Sequence, residues 1–223
     1  MKPLRTLESV DTRDGKLELK SRGPKDFLIT IDNRVLMTSA AHRSEVALGK
    51  AACTRLATYA QPRVLVGGLG MAYTLRAVLD ELPQTAKVIV AELNPITETW
   101  CRTHMAALTD TAVADPRVTI EIADVMKLVR SAAQGSPDKR FDAIVIDLYV
   151  GPDAGTRRDD PLYGARACAE ARQALKKGGI FSIWGEALDE TYVKRLEKNG
   201  FDVRTEKPGR GGLRHVIYVA TAR

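Results

Sequence analysis

The chain has 223 residues, 44% of them hydrophobic and 28% charged, with a formal net charge of +6. That size suits one sizeable α/β domain with a small appendage, in the ordinary soluble range of composition. No apolar run reaches the roughly 20 residues that span a bilayer, and Met1-Lys2-Pro3-Leu4-Arg5 carries no apolar signal core, so a cytoplasmic protein without membrane attachment is expected. Residues 14 to 38 come first as a distinct unit. Lys16-Leu17-Glu18-Leu19-Lys20 and Phe27-Leu28-Ile29-Thr30-Ile31 alternate in polarity, and Asp32-Asn33 turns the chain into Arg34-Val35-Leu36-Met37. This predicts a small antiparallel sheet. Ser44 to Tyr59 is helical by pattern, and Gln61-Pro62 ends it.

From Arg63 onward, apolar runs alternate with amphipathic stretches. Strands are predicted at 63–67, 87–91, 117–122, 141–147, 179–184 and 215–220, and helices at 72–82, 95–109, 124–133, 161–176 and 189–199. Lys177-Gly178-Gly179 reads as a helix stop, and the glycine-rich stretch Pro208 to Gly212 as a hairpin loop before the last strand. The expected fold is α/β, a Rossmann-like doubly wound sheet preceded by a small antiparallel sheet. Residues 1–60 form the small sheet and linking helix, and residues 61–223 the cofactor-binding, catalytic unit.

In such sheets ligands sit beyond the carboxyl ends of the strands. Val64-Leu65-Val66-Gly67-Gly68-Leu69-Gly70-Met71 is an apolar strand ending in clustered glycines, which let a nucleotide-like ligand approach the backbone. About 20 residues later Val88-Ile89-Val90-Ala91-Glu92 ends in a carboxylate suited to ribose hydroxyls. Glu92 could also cap the helix opening at Asn94-Pro95. Asp124 fits both an adenine contact and the N-cap of the next helix. Asp147 closes the fourth strand of the series, where it can serve catalysis or merely cap a turn.

These residues resemble the spermidine synthase-like branch of the class I methyltransferase fold. Val64 to Leu79 follows the family's glycine motif, and Ala91-Glu92-Leu93-Asn94 resembles its Val-Glu-Ile-Asp. Asp115-Pro116-Arg117-Val118, Ala123-Asp124, Phe141 to Asp147 and Ala174 to Gly179 follow its later motifs. The resemblance implies a cofactor site of Gly67, Gly68, Gly70, Met71, Glu92, Leu93, Asp124, Val125 and Asp147, with Glu92 on the ribose and Asp124 on the adenine amine. Glu45 resembles the Glu of a Tyr-His-Glu element in the family.

Two departures shape the expected reaction. The family's aminopropyltransferases carry an Asp in the glycine loop where this chain has Met71. Their Asp-Ser-Ser/Thr-Asp-Pro becomes Asp147-Leu148-Tyr149-Val150-Gly151, with one acid kept. An amine facing Met71, Leu148 and Val150 would lose its counter-charges. Met71 also removes an acid that would repel the carboxylate of intact S-adenosylmethionine. The expectation is therefore methyl transfer from S-adenosylmethionine to a nitrogen or oxygen of a small molecule. Asp147 would orient or deprotonate the acceptor with Tyr149 beside it. His42, Tyr149 and Trp184 are candidate acceptor-site residues, although each also fits a plain packing or surface role.

The alternative is aminopropyl transfer from decarboxylated S-adenosylmethionine, with substitute acids from Glu186, Asp153, Asp159 or Asp160 and residues 151–160 as a polar lid. A second alternative is a non-catalytic nucleoside-binding protein. His104 is expected as a helix residue and His215 as a structural one. Cys53, Cys101 and Cys168 show no metal-ligand spacing, and no metal is expected. The basic residues are scattered with no run of five like charges, which weighs against a nucleic-acid partner. The exposed edges of the small sheet suggest a homodimer.

Overall fold

A computed structural model describes residues 3–208 and 215–223. The small sheet is an antiparallel meander in the order β1-β2-β3-β4. Its strands are β1 (Arg5–Thr12), β2 (Gly15–Gly23), β3 (Asp26–Ile31) and β4 (Arg34–Thr38). Asp32 and Asn33 both take left-handed backbone (φ 45° and 63°), the twist a two-residue hairpin needs. Sequence reasoning placed the sheet at 14–38 and missed β1. Arg5–Thr12 is largely exposed, so it shows little hydrophobic alternation. It is held instead by Glu8, whose carboxylate accepts from Trp100 Nε1 (3.0 Å) and pairs with His104 Nε2 (2.7 Å).

Helix α1 (Arg43–Cys53) leads into the main unit of β5 (Arg63–Gly67), α2 (Tyr73–Glu81), β6 (Lys87–Glu92), α3 (Pro95–Arg102), β7 (Val118–Ile122) and α4 (Val125–Gln134). It continues through β8 (Phe141–Ile146), α5 (Ala165–Ala174), β9 (Leu175–Gly185), α6 (Glu190–Lys198), β10 (Phe201–Glu206) and β11 (Val216–Ala222). The strand order is β10-β11-β9-β8-β5-β6-β7. Strands β5 to β9 are parallel, while β11 runs antiparallel to β9 and β10 antiparallel to β11. The chain enters at the centre, winds out to β7 and returns to β8. The switch point therefore lies between β5 and β8, the place where open sheets of this kind bind ligands at the strand ends.

Several boundaries move for local reasons. Helix α3 stops at Arg102, short of the predicted 109, and His104 lies beyond it, its ring on Glu8. Helix α5 begins at Ala165, not 161, because Asp160 caps a turn by accepting from Leu162 N and Tyr163 N. It ends at Ala174, and Leu175 already pairs with Phe141, so the expected stop at Lys177–Gly179 is a bulge inside β9. Lys176 Nζ reaches Asp142 Oδ2 at 2.8 Å and fixes that bulge on the neighbouring strand. Strand β10 was not predicted, since Phe201–Glu206 buries little beyond Phe201. Residues 209–214, with most of the expected hairpin loop, lie outside the described residues.

One cluster of buried side chains runs from Leu17, Leu19 and Phe27 of the small sheet through Leu48 of α1 to Val64, Val66 and Leu75. A second, including Phe141, Phe181, Tyr192 and Tyr218, fills the other face of the large sheet. Among the described residues no helix is long and apolar enough to cross a membrane.

Candidate active site

At the carboxyl end of β5 the backbone doubles back at Gly68 (φ 90°), Gly70 (φ 50°) and Ala72 (φ 63°). Gly68 is required twice over. A Cβ there would lie 2.2 Å from the Asp147 carbonyl oxygen, and its φ is left-handed. Gly68 N donates to Ala91 O (2.9 Å) and Asp147 N to Gly67 O (2.8 Å), so the loop is sewn to both neighbouring strand ends. Val125, buried at the start of α4, packs against Gly67.

Glu92 is buried at the end of β6. Its Oε2 accepts from Leu69 N (3.0 Å) and its Oε1 from Asn94 N (2.8 Å). Each oxygen keeps a second lone pair for a ligand hydroxyl. Beside it Leu93 is 51% exposed and Ile122, at the end of β7, is 48% exposed, leaving apolar surface at these strand ends. Asp124 does cap α4, with Met126 N donating to its Oδ1 at 2.7 Å.

Met71 is placed differently from expectation. Its side chain is fully buried in the first core cluster and lines no open site. The sulfur at the loop surface belongs to Met37 of β4, whose Sδ accepts from Met71 N at 3.3 Å and lies against Gly70. The charge argument built on Met71 therefore fails.

Asp147 sits where β5 and β8 diverge. Thr74 Oγ1 donates to its Oδ2 at 2.5 Å and also approaches the Glu45 carbonyl at 3.3 Å. Burial, and then the nearby Glu45 carboxylate, push the Asp147 carboxyl up to about 7, against the opposing pull of the Thr74 hydrogen bond. Neither acid has a salt-bridge partner among the described residues. Glu45 lies in the first turn of α1, where the helix dipole favours a carboxylate.

Aromatic side chains pair on the neighbouring segments. His42 stacks on Tyr73 (4.0 Å between ring centres, 8° between planes) and its Nδ1 meets Ser39 O at 3.0 Å. Trp184 meets His215 edge to face at 4.9 Å. Tyr149 is 48% exposed, with the Arg34 guanidinium 5.5 Å from its ring centre. The expected substitute acids are elsewhere occupied: Asp153 caps its own turn, Asp159 pairs with Arg157, and Asp160 caps the turn before α5. Glu186 is exposed. The 151–160 stretch is tied down by Tyr163 OH on Val150 O (2.7 Å) and Arg195 on Thr156 O (3.1 Å). Sequence reasoning missed Thr74, Ser44 and the site position of His215. Nothing in the spacing of α1, α2 and β11 announces that their ends meet.

This topology, with its glycine loop, a buried acid at the next strand end and an acid at the switch point, defines an α/β protein of the class I methyltransferase fold. The additional N-terminal antiparallel sheet gives it an architecture similar to that of spermidine synthases. The whole architecture superposes on spermidine synthase from Thermotoga maritima with a TM-score of 0.71, at 21% identity over 97% of this chain and 72% of that one. Human methyltransferase-like protein 13 in complex with SAH matches with a TM-score of 0.60, at 19% identity over 82% of each chain.

In sequence the chain is 32% identical to a polyamine aminopropyltransferase of Mycobacterium tuberculosis over 120 residues, which are 54% of this chain and 21% of that protein. It is 25% identical to the polyamine aminopropyltransferase of Clostridium tetani over 152 residues, 67% of this chain and 50% of the relative. The counterpart from Nitrosomonas europaea is 33% identical over 132 residues, 56% of this chain and 36% of that protein. The chain thus matches half or less of the length of these curated relatives. No family model matches it. These relatives overturn the expected methyl transfer, which rested on the Met71 side chain that the fold buries and on the single acid kept in Asp147-Leu148-Tyr149-Val150-Gly151.

Proposed function

We propose that the chain transfers an aminopropyl group from decarboxylated S-adenosylmethionine to a small-molecule amine of the polyamine type. The observation that carries this reading is the pair of carboxylates, Asp147 and Glu45, beside the glycine loop and without a cationic partner among the described residues. Two adjacent acids attract ammonium groups and repel the carboxylate of intact S-adenosylmethionine.

The residues present fit the nucleoside. Glu92 keeps lone pairs for the ribose hydroxyls, and Leu93 and Ile122 offer apolar surface for a base, with Asp124 nearby. When bound, the sulfonium supplies an activated carbon and a neutral thioether leaving group. The protein's share is alignment and proton removal. An amine must be neutral to attack, and Asp147, its carboxyl raised to about 7, is suited to take the ammonium proton near neutral pH. Thr74 holds that carboxylate in place. His42, Tyr149 and Trp184 form the acceptor side of the cleft in this reading. Pairing of two copies through the exposed edges β1 or β4 is compatible with it.

The test is incubation of the purified protein with decarboxylated S-adenosylmethionine and a panel of diamines and polyamines, with chromatography of the products. Release of methylthioadenosine together with an aminopropylated amine is the expected result. Tight nucleoside binding without transfer to any amine would overturn the enzyme reading and leave a binding protein.

A further inference from the structure

Among the described residues, a hydrogen-bond chain that the reaction does not obviously need runs behind the acid pair. Ser44, 6% exposed, donates its hydroxyl to Glu45 Oε2 at 2.7 Å, and its Oγ lies 3.1 Å from His215 Nδ1. A carboxylate only accepts, so the single hydroxyl proton is committed to Glu45, and His215 Nδ1 must be the N–H that donates to Ser44. The ring is steadied by its edge-to-face contact with Trp184. This order, His215 to Ser44 to Glu45, joins the start of β11 to the first turn of α1, two segments 171 residues apart.

We propose that His215 is a positioning residue for the acceptor's cationic nitrogen: through the Ser44 hydroxyl it fixes the Glu45 carboxylate beside Asp147. The inference rests on the aminopropyltransferase reading for its substrate, while the chain of donors stands on geometry alone. A free glutamate at a helix start has several rotamers open to it. A charge-assisted hydrogen bond from a serine that is itself oriented by a ring N–H removes that freedom. The acid pair is thereby preset as one anionic site before any amine arrives.

Three variants test this: Ser44→Ala, His215→Phe and His215→Asn. Phenylalanine keeps the aromatic edge toward Trp184 but loses the donor, whereas the Asn side-chain N–H can replace Nδ1–H. With a transferable amine, His215→Phe and Ser44→Ala are expected to raise the acceptor KM about tenfold. The fall in kcat should be smaller and the affinity for the nucleoside donor unchanged, with His215→Asn recovering most of the loss. An unchanged acceptor KM, or a His215→Asn variant no better than His215→Phe, would overturn the proposal.

A second readout needs no substrate. Carbon-13 NMR titration of Asp147, whose neighbours that titrate are Glu45 and Tyr163, should show a lower midpoint in His215→Phe than in wild type. That follows if Glu45 is no longer held against it. A midpoint equal to wild type would overturn the positioning role. Failure of the wild type to transfer to any amine would overturn only the functional reading, with the titration still deciding the role of His215.

Discussion

Asp147 offers a sharp test of whether the site holds a charge at the expense of the fold. Its carboxyl has an ordinary value of 3.8 and a folded value of about 7. The folded state therefore binds the proton more tightly than the unfolded chain. Below pH 3.8 both states are protonated and the burial costs nothing. As the pH rises from there to about 7 the cost grows by about 1.4 kcal/mol per unit, reaching about 4 kcal/mol above neutrality. Asp147→Asn is neutral at every pH and keeps an oxygen to accept from Thr74. The variant should match the wild type in stability at pH 4 and exceed it at pH 8 by up to about 4 kcal/mol, or roughly 8–16 °C in Tm for a chain of this length. On the aminopropyltransferase reading, turnover should collapse in the same variant. Thermal melts by circular dichroism at pH 4, 5.5 and 8 measure the difference directly. An Asp147→Asn advantage that does not change with pH, or a variant less stable than wild type at pH 8, would refute the reasoning.

Two other substitutions probe the frame around the site. Gly68→Ala would place a methyl 2.2 Å from the Asp147 carbonyl oxygen at a φ of 90°. A loss of more than about 2 kcal/mol in urea unfolding is expected, and donor binding should fail in calorimetry. Arg117, buried before β7, donates to Leu79 O and Leu82 O at 2.9 Å each and pairs with Asp115 at 2.7 Å. Arg117→Met leaves those acceptors unsatisfied, so about 3 kcal/mol should disappear from the same unfolding measurement. A loss below about 1 kcal/mol would show that water replaces the guanidinium without penalty.

The parts of the fold that show in the sequence are those with local signatures. Strands β5, β6 and β8 are apolar runs because parallel strands are covered on both faces, and the glycines after β5 are dictated by backbone φ at Gly68 and Gly70. The Asp32-Asn33 hairpin and the Asp124 cap are set within two or three residues, so pattern reading reached them. The exposed strands β1 and β10 were invisible because few of their side chains are buried, so no hydrophobic alternation marks them.

The amino-acid sequence thus determined the class of fold, the glycine turn after β5 and the positions of Glu92 and Asp147 at the strand ends on its own, since each depends on residues close together in the chain. It could not determine the direction of a side chain in a tightly wound loop. Met71 looked like a pocket wall and is core, because the turn at Gly70 and Ala72 aims it inward. Nor could it bring Glu45 beside Asp147 or His215 onto Ser44. Those meetings are made by packing α1 against α2 and the large sheet, and they set the charge beside the glycine loop. A reading of neighbours in sequence chose methyl transfer because this meeting of acids is not visible there, and the proposal of an amine acceptor rests on it and on the relatives.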